Sequence, residues 1–411
     1  MTKPSDWIPL FWPDETVSLE WLKGSPVNCL VVEKAAEGLA RQATALGINV
    51  MAMSELEPQV AVIRKAKWPR VPVAARGKSR GISTGPTGAP WVDSNGWISS
   101  LTHVKTPGKP VWVATEPPTD AGMLRTEAYV LAVADAAVYG SRWIISLDAD
   151  LRKGLAGGNG EALSTWKSIA EATLFFENNK QWRGYHTVAK LGVLSDFAGA
   201  NEYLAGEVLN LCNRRYLPYR ILDQASFDAK SLEGLKAILL VQQREPEARL
   251  HTLLGDFARA GGLVIAPASL AHLTRELQAA GNFEGSYDYY AFGEGRTAIA
   301  RKPWSDPYQV VSDAHLLLSR KNDVLRLWNA GTTNARYTRG PNGAGLVQIV
   351  NYATRAFGHP VSLYVAHPYK SAKLVGLSGR TPEMLSVEAR GEGVEVNLPP
   401  FPVYAAIEFG D

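Results

Sequence analysis

Cysteine is almost missing from this chain. Its two thiols, Cys29 and Cys212, lie far apart in apolar stretches. That spacing excludes a disulfide framework and leaves no cysteine-built metal site, so two buried thiols are the plain reading. Histidine is sparse too: His103, His186, His251 and His315 are scattered without ligand spacing, and no metal or other cofactor is expected. No segment reaches the roughly 18 apolar residues of a membrane span, so no membrane contact is expected. The formal net charge is only +3, with no basic block or aromatic-interleaved Arg/Lys stripe, which argues against a nucleic-acid partner. Residues 1–9 lack the basic stretch and apolar core of a secretory leader, so the expectation is a cytoplasmic chain or a secreted one whose leader has been removed. A Gly-x-Gly-x-x-Gly fingerprint and a Gly-x-Ser-x-Gly elbow are also absent; Val241 runs into Gln242-Gln243 instead. No internal repeat or low-complexity run is present.

The chain does have length and tryptophan. At 411 residues it exceeds one ordinary core. Of its 12 tryptophans, all but two precede Arg183. Each indole can fill a core, but as a set in one region they favour a ligand with apolar faces. Over residues 1–185, apolar runs at 7–12, 27–33, 48–53, 71–75, 110–116 and 143–148 read as strands. Helical patterns at 35–46, 55–66, 126–139 and 162–178 alternate with them. That alternation predicts an α/β region with a parallel sheet. A full eight-unit barrel takes about 250 residues, so any barrel here is shortened or degenerate. Residues 77–101 read as an irregular loop carrying Trp91, Asp93, Asn95 and Trp97. Residues 186–305 read as a small doubly wound α/β unit, residues 306–331 as a connecting amphipathic helix, and residues 332–411 as period-two strands of a β-sandwich.

The densest signal is Lys109-Pro-Val-Trp-Val-Ala-Thr-Glu116-Pro-Pro, a short apolar strand that ends in a carboxylate and is stopped by prolines. The pattern recurs at Ser141-Arg-Trp-Ile-Ile-Ser-Leu-Asp148-Ala-Asp150. Acids at strand C-termini are where barrel enzymes keep their chemistry. These segments resemble the seventh and eighth barrel strands of the β-galactosidases of glycoside hydrolase family 42. The turn Ala260-Gly-Gly-Leu-Val-Ile265 resembles a late step of that family's amidotransferase-like middle domain, and Leu398-Pro-Pro-Phe-Pro-Val-Tyr-Ala-Ala-Ile-Glu408 resembles its last sandwich strand.

The resemblance implies a (β/α) TIM-type barrel, a glutamine-amidotransferase-like doubly wound domain and a C-terminal antiparallel β-sandwich. It also implies a carbohydrate ligand and self-association through the middle domain. In such a retaining glycosidase Glu116 would be the nucleophile. The family's acid/base is a Glu after Asn at the end of strand four. Here the strand-four candidate, Val71-Pro-Val-Ala-Ala-Arg-Gly-Lys78, has no carboxylate, and the single Asn-Glu pair is Asn201-Glu202.

Retaining hydrolysis needs two carboxyl groups about 5–5.5 Å apart. Glu116 is therefore read as a catalytic acid, against the alternative of a capping role. Asp148 and Asp150 are candidates for its partner, against ion pairs with Arg152 or Arg76. Glu55 and Glu33 follow apolar strands, as a catalytic and a substrate-binding candidate, against helix N-terminal roles. Trp12, Trp91, Asp93, Asn95 and Trp97 are substrate-binding candidates because polar groups beside indoles suit a sugar subsite, with an Asx-turn as the alternative at 93–95. Two functions stay open: a glycoside hydrolase acting on an oligo- or polysaccharide, and a non-catalytic carbohydrate-binding or scaffold protein of the same ancestry that lost its acid/base.

Overall fold

The computed structural model describes residues 3–13, 18–34, 37–76, 79–82, 90–119, 124–242, 247–274, 277–377 and 382–411. Five of the six apolar runs of the first region become parallel strands, β1 Pro9–Phe11, β2 Cys29–Val32, β3 Asn49–Ala52, β5 Val111–Val113 and β6 Arg142–Trp143, and Ala61–Ile63 adds β4. They form two three-stranded sheets, β1-β2-β3 and β4-β5-β6. A parallel bridge Leu10↔Ile145 joins the two, with Phe11 N–H donating to Ile145 O at 2.8 Å and Ile145 N–H to Pro9 O at 2.9 Å. The result is one continuous row, β3-β2-β1-β6-β5-β4. Among the described residues no backbone pairing joins the outer strands β3 and β4, so the row is not closed into a cylinder.

Strand alternation sorts side chains onto the two faces of this row. Leu10, Leu30, Val32, Val111, Val113, Trp143 and Ile145 pack in one core with helices α3 (Thr126–Ala137) and α5 (Gly160–Asn178). Cys29, Val31, Trp112 and Ile144 face the other way, where Trp7, Met53, Leu56 and Val60 cover them. Helix α1 (Glu37–Ala45) stops at Gly47, whose φ of 72° suits a residue without Cβ.

Three expectations fail in the stretch after β3. Residues 77–101, read as an irregular loop, contain the strand Ser79–Ile82 and the start of helix α2 (Gly96–Lys105). Residues 55–66 do not form a helix: a single turn, Met53–Leu56, precedes β4. Pro58 brings no N–H to continue a helix, and the β-branched residues Val60, Val62 and Ile63 favour extension. Residues 71–75 are not a strand of the parallel row either. Val73–Arg76 and Ser79–Ile82 pair with each other as a separate antiparallel hairpin.

The middle region carries a seven-stranded sheet. Its parallel part runs Tyr219–Asp223, Leu191–Ser195, Ala237–Leu240, Leu263–Ala266, Gly295–Ala300, and Tyr287–Phe292 and Gln278–Phe283 extend it as an antiparallel edge. Helices α6 (Glu202–Arg214) and Pro307–Leu318 share a core on one face, where Val208, Leu209, Val310, Val311 and Ala314 are buried. The amphipathic helix expected over residues 306–331 ends at Leu318, and Leu325–Trp328 is already a strand.

That strand belongs to a four-stranded antiparallel sheet which faces a six-stranded one across a shared core of Leu325, Leu363, Val396, Val347 and Ile407. His186–Thr187 joins the edge of the six-stranded sheet by pairing with Thr338 and Arg339.

Gly295 opens the fifth strand of the middle sheet where the chain passes under the Gly261-Gly262 turn. A Cβ there would sit 2.3 Å from both Ala258 O and Gly262 O. Backbone oxygens cannot swing aside as a side-chain end can. Gly295→Ala is expected to destabilise the chain by about 3 kcal/mol, read from the urea midpoint; an unchanged midpoint would show that the strand start shifts freely.

Candidate functional site

Parallel strands place all their C-terminal ends along one rim. Trp12 follows β1, Glu33 follows β2, Glu55 lies just past β3, Glu116 follows β5 and Asp148 lies beyond β6. The topology therefore sets four carboxylates that are far apart in the chain along one rim.

Glu116 is exposed, and the residues around it are held. Thr115 and Pro117 are buried. Trp143 Nε1 donates to Thr115 O at 3.1 Å, which fixes the backbone just ahead of the carboxylate. Trp143 in turn meets Trp68 edge-on at 5.6 Å and lies 6.4 Å from Tyr129. The result is an acid in solvent on a rigid base of packed rings, and no hydrogen bond or ion pair among the described residues engages its carboxylate.

Asp148 is differently placed. Its Oδ1 accepts the Leu151 N–H at 2.8 Å, capping helix α4 (Ala149–Ala156). Its Oδ2 accepts the Tyr129 hydroxyl and, at 3.4 Å, the Leu124 N–H. Burial, followed by the Asp148 hydrogen bond and charge, pushes the Tyr129 hydroxyl well above the usual phenol range, so it stays a donor. Asp150 is exposed in the first turn of α4. Arg152 pairs with neither acid; its Nη1 donates to Leu147 O. Glu55 is exposed and reaches back to the Ala52 N–H at 3.2 Å, which is a helix-start contact. Glu33 is exposed at a bend.

The residues expected to bind substrate separate into different surroundings. Trp12 is 4% exposed and stacks on Trp21 at 5.7 Å, with Trp166 edge-on to Trp21 at 4.8 Å. Asp93 is half-buried, with loose ion pairs to Lys67 at 3.6 Å and Arg70 at 3.9 Å. Asn95 is buried: its side chain bonds both the N–H and the C=O of Lys67 at 2.8 Å, and its Nδ2 also donates to Asp135 at 2.8 Å. Trp91 and Trp97 pack against the core of the middle region, and Trp97 fills the space beside Gly206 on α6. Trp91 and Trp97 thus join the first region to the middle one, while Trp12 packs within the first. No group of three or more His, Cys, Asp or Glu among the described residues could hold a metal ion, and no described helix is long and apolar enough to cross a membrane.

Sequence reasoning missed Asp135, Tyr129 and Tyr352. Asp135 accepts from Asn95 and, at 2.6 Å, from the Tyr352 hydroxyl of the sandwich. That pairing spans 217 positions. It has no local signal beyond an acid in an apolar helical run, Val133-Ala-Asp-Ala-Ala137.

No protein-family model and no curated protein matches the chain. Solved structures do. An α-L-fucosidase isoenzyme 2 from Paenibacillus thiaminolyticus aligns with a TM-score of 0.54 at 12% identity over 95% of this chain and 78% of its own. A β-galactosidase from Bacillus circulans sp. alkalophilus aligns with a TM-score of 0.54 at 10% identity over 91% of this chain and 65% of its own. A rhamnosidase from Novosphingobium sp. PP1Y aligns with a TM-score of 0.53 at 11% identity over 92% of this chain, which spans only 38% of the rhamnosidase. At such identities the likeness is one of fold. The chain has a glycosidase-like, multidomain, sheet-rich fold, broader than family 42 alone.

Proposed function

We propose that this protein is a glycoside hydrolase acting on an oligo- or polysaccharide, with Glu116 as its nucleophilic carboxylate. The observation that supports this reading is the shared rim: β2, β3, β5 and the segment after β6 each deliver an acid to one edge of the row, and Glu116 alone combines a locked backbone with a carboxylate open to solvent. Glu55 or Asp150 would serve as its acid/base partner, because both carboxylates reach solvent, whereas Asp148 caps a helix. Glu33, Asp93 and the Trp68 ring would contact sugar. The doubly wound region would be the surface for self-association, as the resemblance to the family 42 enzymes implies.

The second reading, a saccharide binder without turnover, is favoured by one specific observation. Only residues 53–60 separate β3 from β4, so the row carries no additional strand there to bring in an Asn-Glu acid/base. One experiment separates the two. A 2-fluoro-glycoside traps a retaining nucleophile as a covalent ester, and peptide mass mapping should place the label on Glu116. A label on another acid would remove Glu116 from the role. Saturable oligosaccharide binding with no label and no hydrolysis would establish the binder.

A further inference from the structure

A cavity of about 720 Å³ lies where the three regions meet, at the opposite end of the parallel row from Glu116. Tyr139 and Gly140, which line it, immediately precede β6, so they mark the N-terminal ends of the strands. Its other walls come from Asn213 to Ile221 of the middle region and from Ala335 to Tyr337 of the sandwich. The volume falls in the range of small-molecule sites.

The lining is rich in donors and cations. Arg183, Arg220, Lys230 and Arg336 face it against one carboxylate, Glu233. Arg183 shares Glu177 with Arg142, so that cluster keeps an excess of positive charge. Arg220 spends hydrogen bonds on the carbonyls of Ser231 and Glu233.

Arg336 is the most telling of the four. It sits 5.8 Å above the Tyr139 ring and donates through Nη1 to Val138 O at 2.7 Å. No carboxylate among the described residues pairs with it. A guanidinium has five N–H donors, so most of its hydrogen-bonding capacity remains for the cavity. A charge taken out of water without a counterion is costly, and an anion in the cavity would offset that cost. Beneath it, the Tyr139 ring packs toward Gly96, and its hydroxyl is buried behind the cavity wall with no hydrogen-bond partner among the described residues.

Of the remaining titratable groups, Asp135 bears on the Tyr139 hydroxyl, but its carboxyl is engaged by Asn95 and Tyr352. His103 is held down to about 4 by burial and then by the charge of Arg336, so it is neutral at working pH, and its Nε2 lies 3.4 Å from Ser141 Oγ. His186 is exposed at the mouth.

We propose that this cavity is a second ligand site, separate from the Glu116 rim, that binds a small organic anion. The acid group, whether carboxylate or phosphate, is held by Arg336, and the rest of the molecule lies along Pro218 and Ile221.

Calorimetric titration of the full chain tests this with glucuronate, glucose 6-phosphate and inorganic phosphate, with glucose as the neutral control. The expected result is one-to-one saturation by glucuronate or glucose 6-phosphate, at least about tenfold tighter than glucose and weakened by added salt. Arg336→Gln should weaken binding by at least about tenfold. Lys230→Glu, an exposed change, should weaken it as well. Glu116→Gln should leave it unchanged, so a failed hydrolase reading does not touch this result. Absence of saturation by either organic anion, glucose binding as tightly as its acids, inorganic phosphate binding as tightly as glucose 6-phosphate, or full affinity in Lys230→Glu would overturn the proposal.

Discussion

Glu116→Gln is expected to lower kcat/KM on any aryl glycoside the protein hydrolyses by at least about 10³-fold, with no change in melting temperature. The amide matches the carboxylate in shape but cannot attack an anomeric carbon. Its removal touches no packing, because the side chain is exposed and the local backbone is held by the Trp143-to-Thr115 hydrogen bond and the buried Pro117. A purely structural acid would behave in the opposite way: stability would move and turnover would not. Glu116→Ala sharpens the distinction. The space left by the carboxylate can admit azide, which would attack the same carbon and restore turnover to a glycosyl azide of inverted configuration. A rescued Ala variant identifies a nucleophile. An Ala variant that retains the starting activity shows that the acid lies elsewhere on the rim, and Glu55 and Asp150 become the next substitutions. If the protein only binds saccharides, both variants should hold an oligosaccharide with unchanged stoichiometry.

The strands were legible wherever one physical pattern governed them. Gly345–Asn351, Val361–Val365, Gly393–Leu398 and Tyr404–Gly410 alternate or run apolar between turn residues, and all four appear as strands. Leu191–Ser195, Ala237–Leu240 and Leu263–Ala266 are buried apolar runs bounded by breakers, and they too form. Apart from the connecting segment, whose helix stops at Leu318, the failures lie between β3 and the end of α2 (Gly96–Lys105). There a helical spacing of apolar residues competed with β-branched content and Pro58, and a short Val-Ala-Ala run paired locally instead of joining the parallel row.

The site was legible only as far as strand ends are. Acids at positions 33, 55, 116 and 148 were found because each follows an apolar run. Their differing duties were not, because a cap at Leu151 N–H or a hydroxyl from Tyr129 depends on neighbours that spacing does not reveal. Tryptophan misled for a similar reason. Indole abundance signals an apolar demand, and here much of that demand lies in cores and inter-region seams: Trp112 under Trp7, Trp12 on Trp21, and Trp97 on α6.

One such seam should dominate stability. Asp135 is 1% exposed and accepts hydrogen bonds from Asn95 N–H, Asn95 Nδ2 and the Tyr352 hydroxyl, tying α3 to the start of α2 and to the sandwich. Asp135→Ala leaves these buried donors without an acceptor and is expected to cost about 4 kcal/mol. The pH dependence identifies the cause. Burial lifts the Asp135 carboxyl from 3.8 to about 6, against the opposing pull of the Tyr352 and Asn95 hydrogen bonds. Between those two values the folded chain holds a proton that the unfolded chain has released. Stability from this group is therefore fully present below about pH 4, falls by about 3 kcal/mol as pH rises to about 6, and is flat beyond. Asp135→Asn keeps the shape and removes the titration. Urea unfolding of the parent and Asp135→Asn chains from pH 4 to 7 should show the parent losing ground to the variant across that window, while the remaining acids, common to both, cancel in the difference. Parallel curves would mean that Asp135 is ionised throughout and that its donors outweigh burial, in which case Tyr352→Phe should cost markedly more at pH 7 than the loss of one neutral hydrogen bond, about 1 kcal/mol.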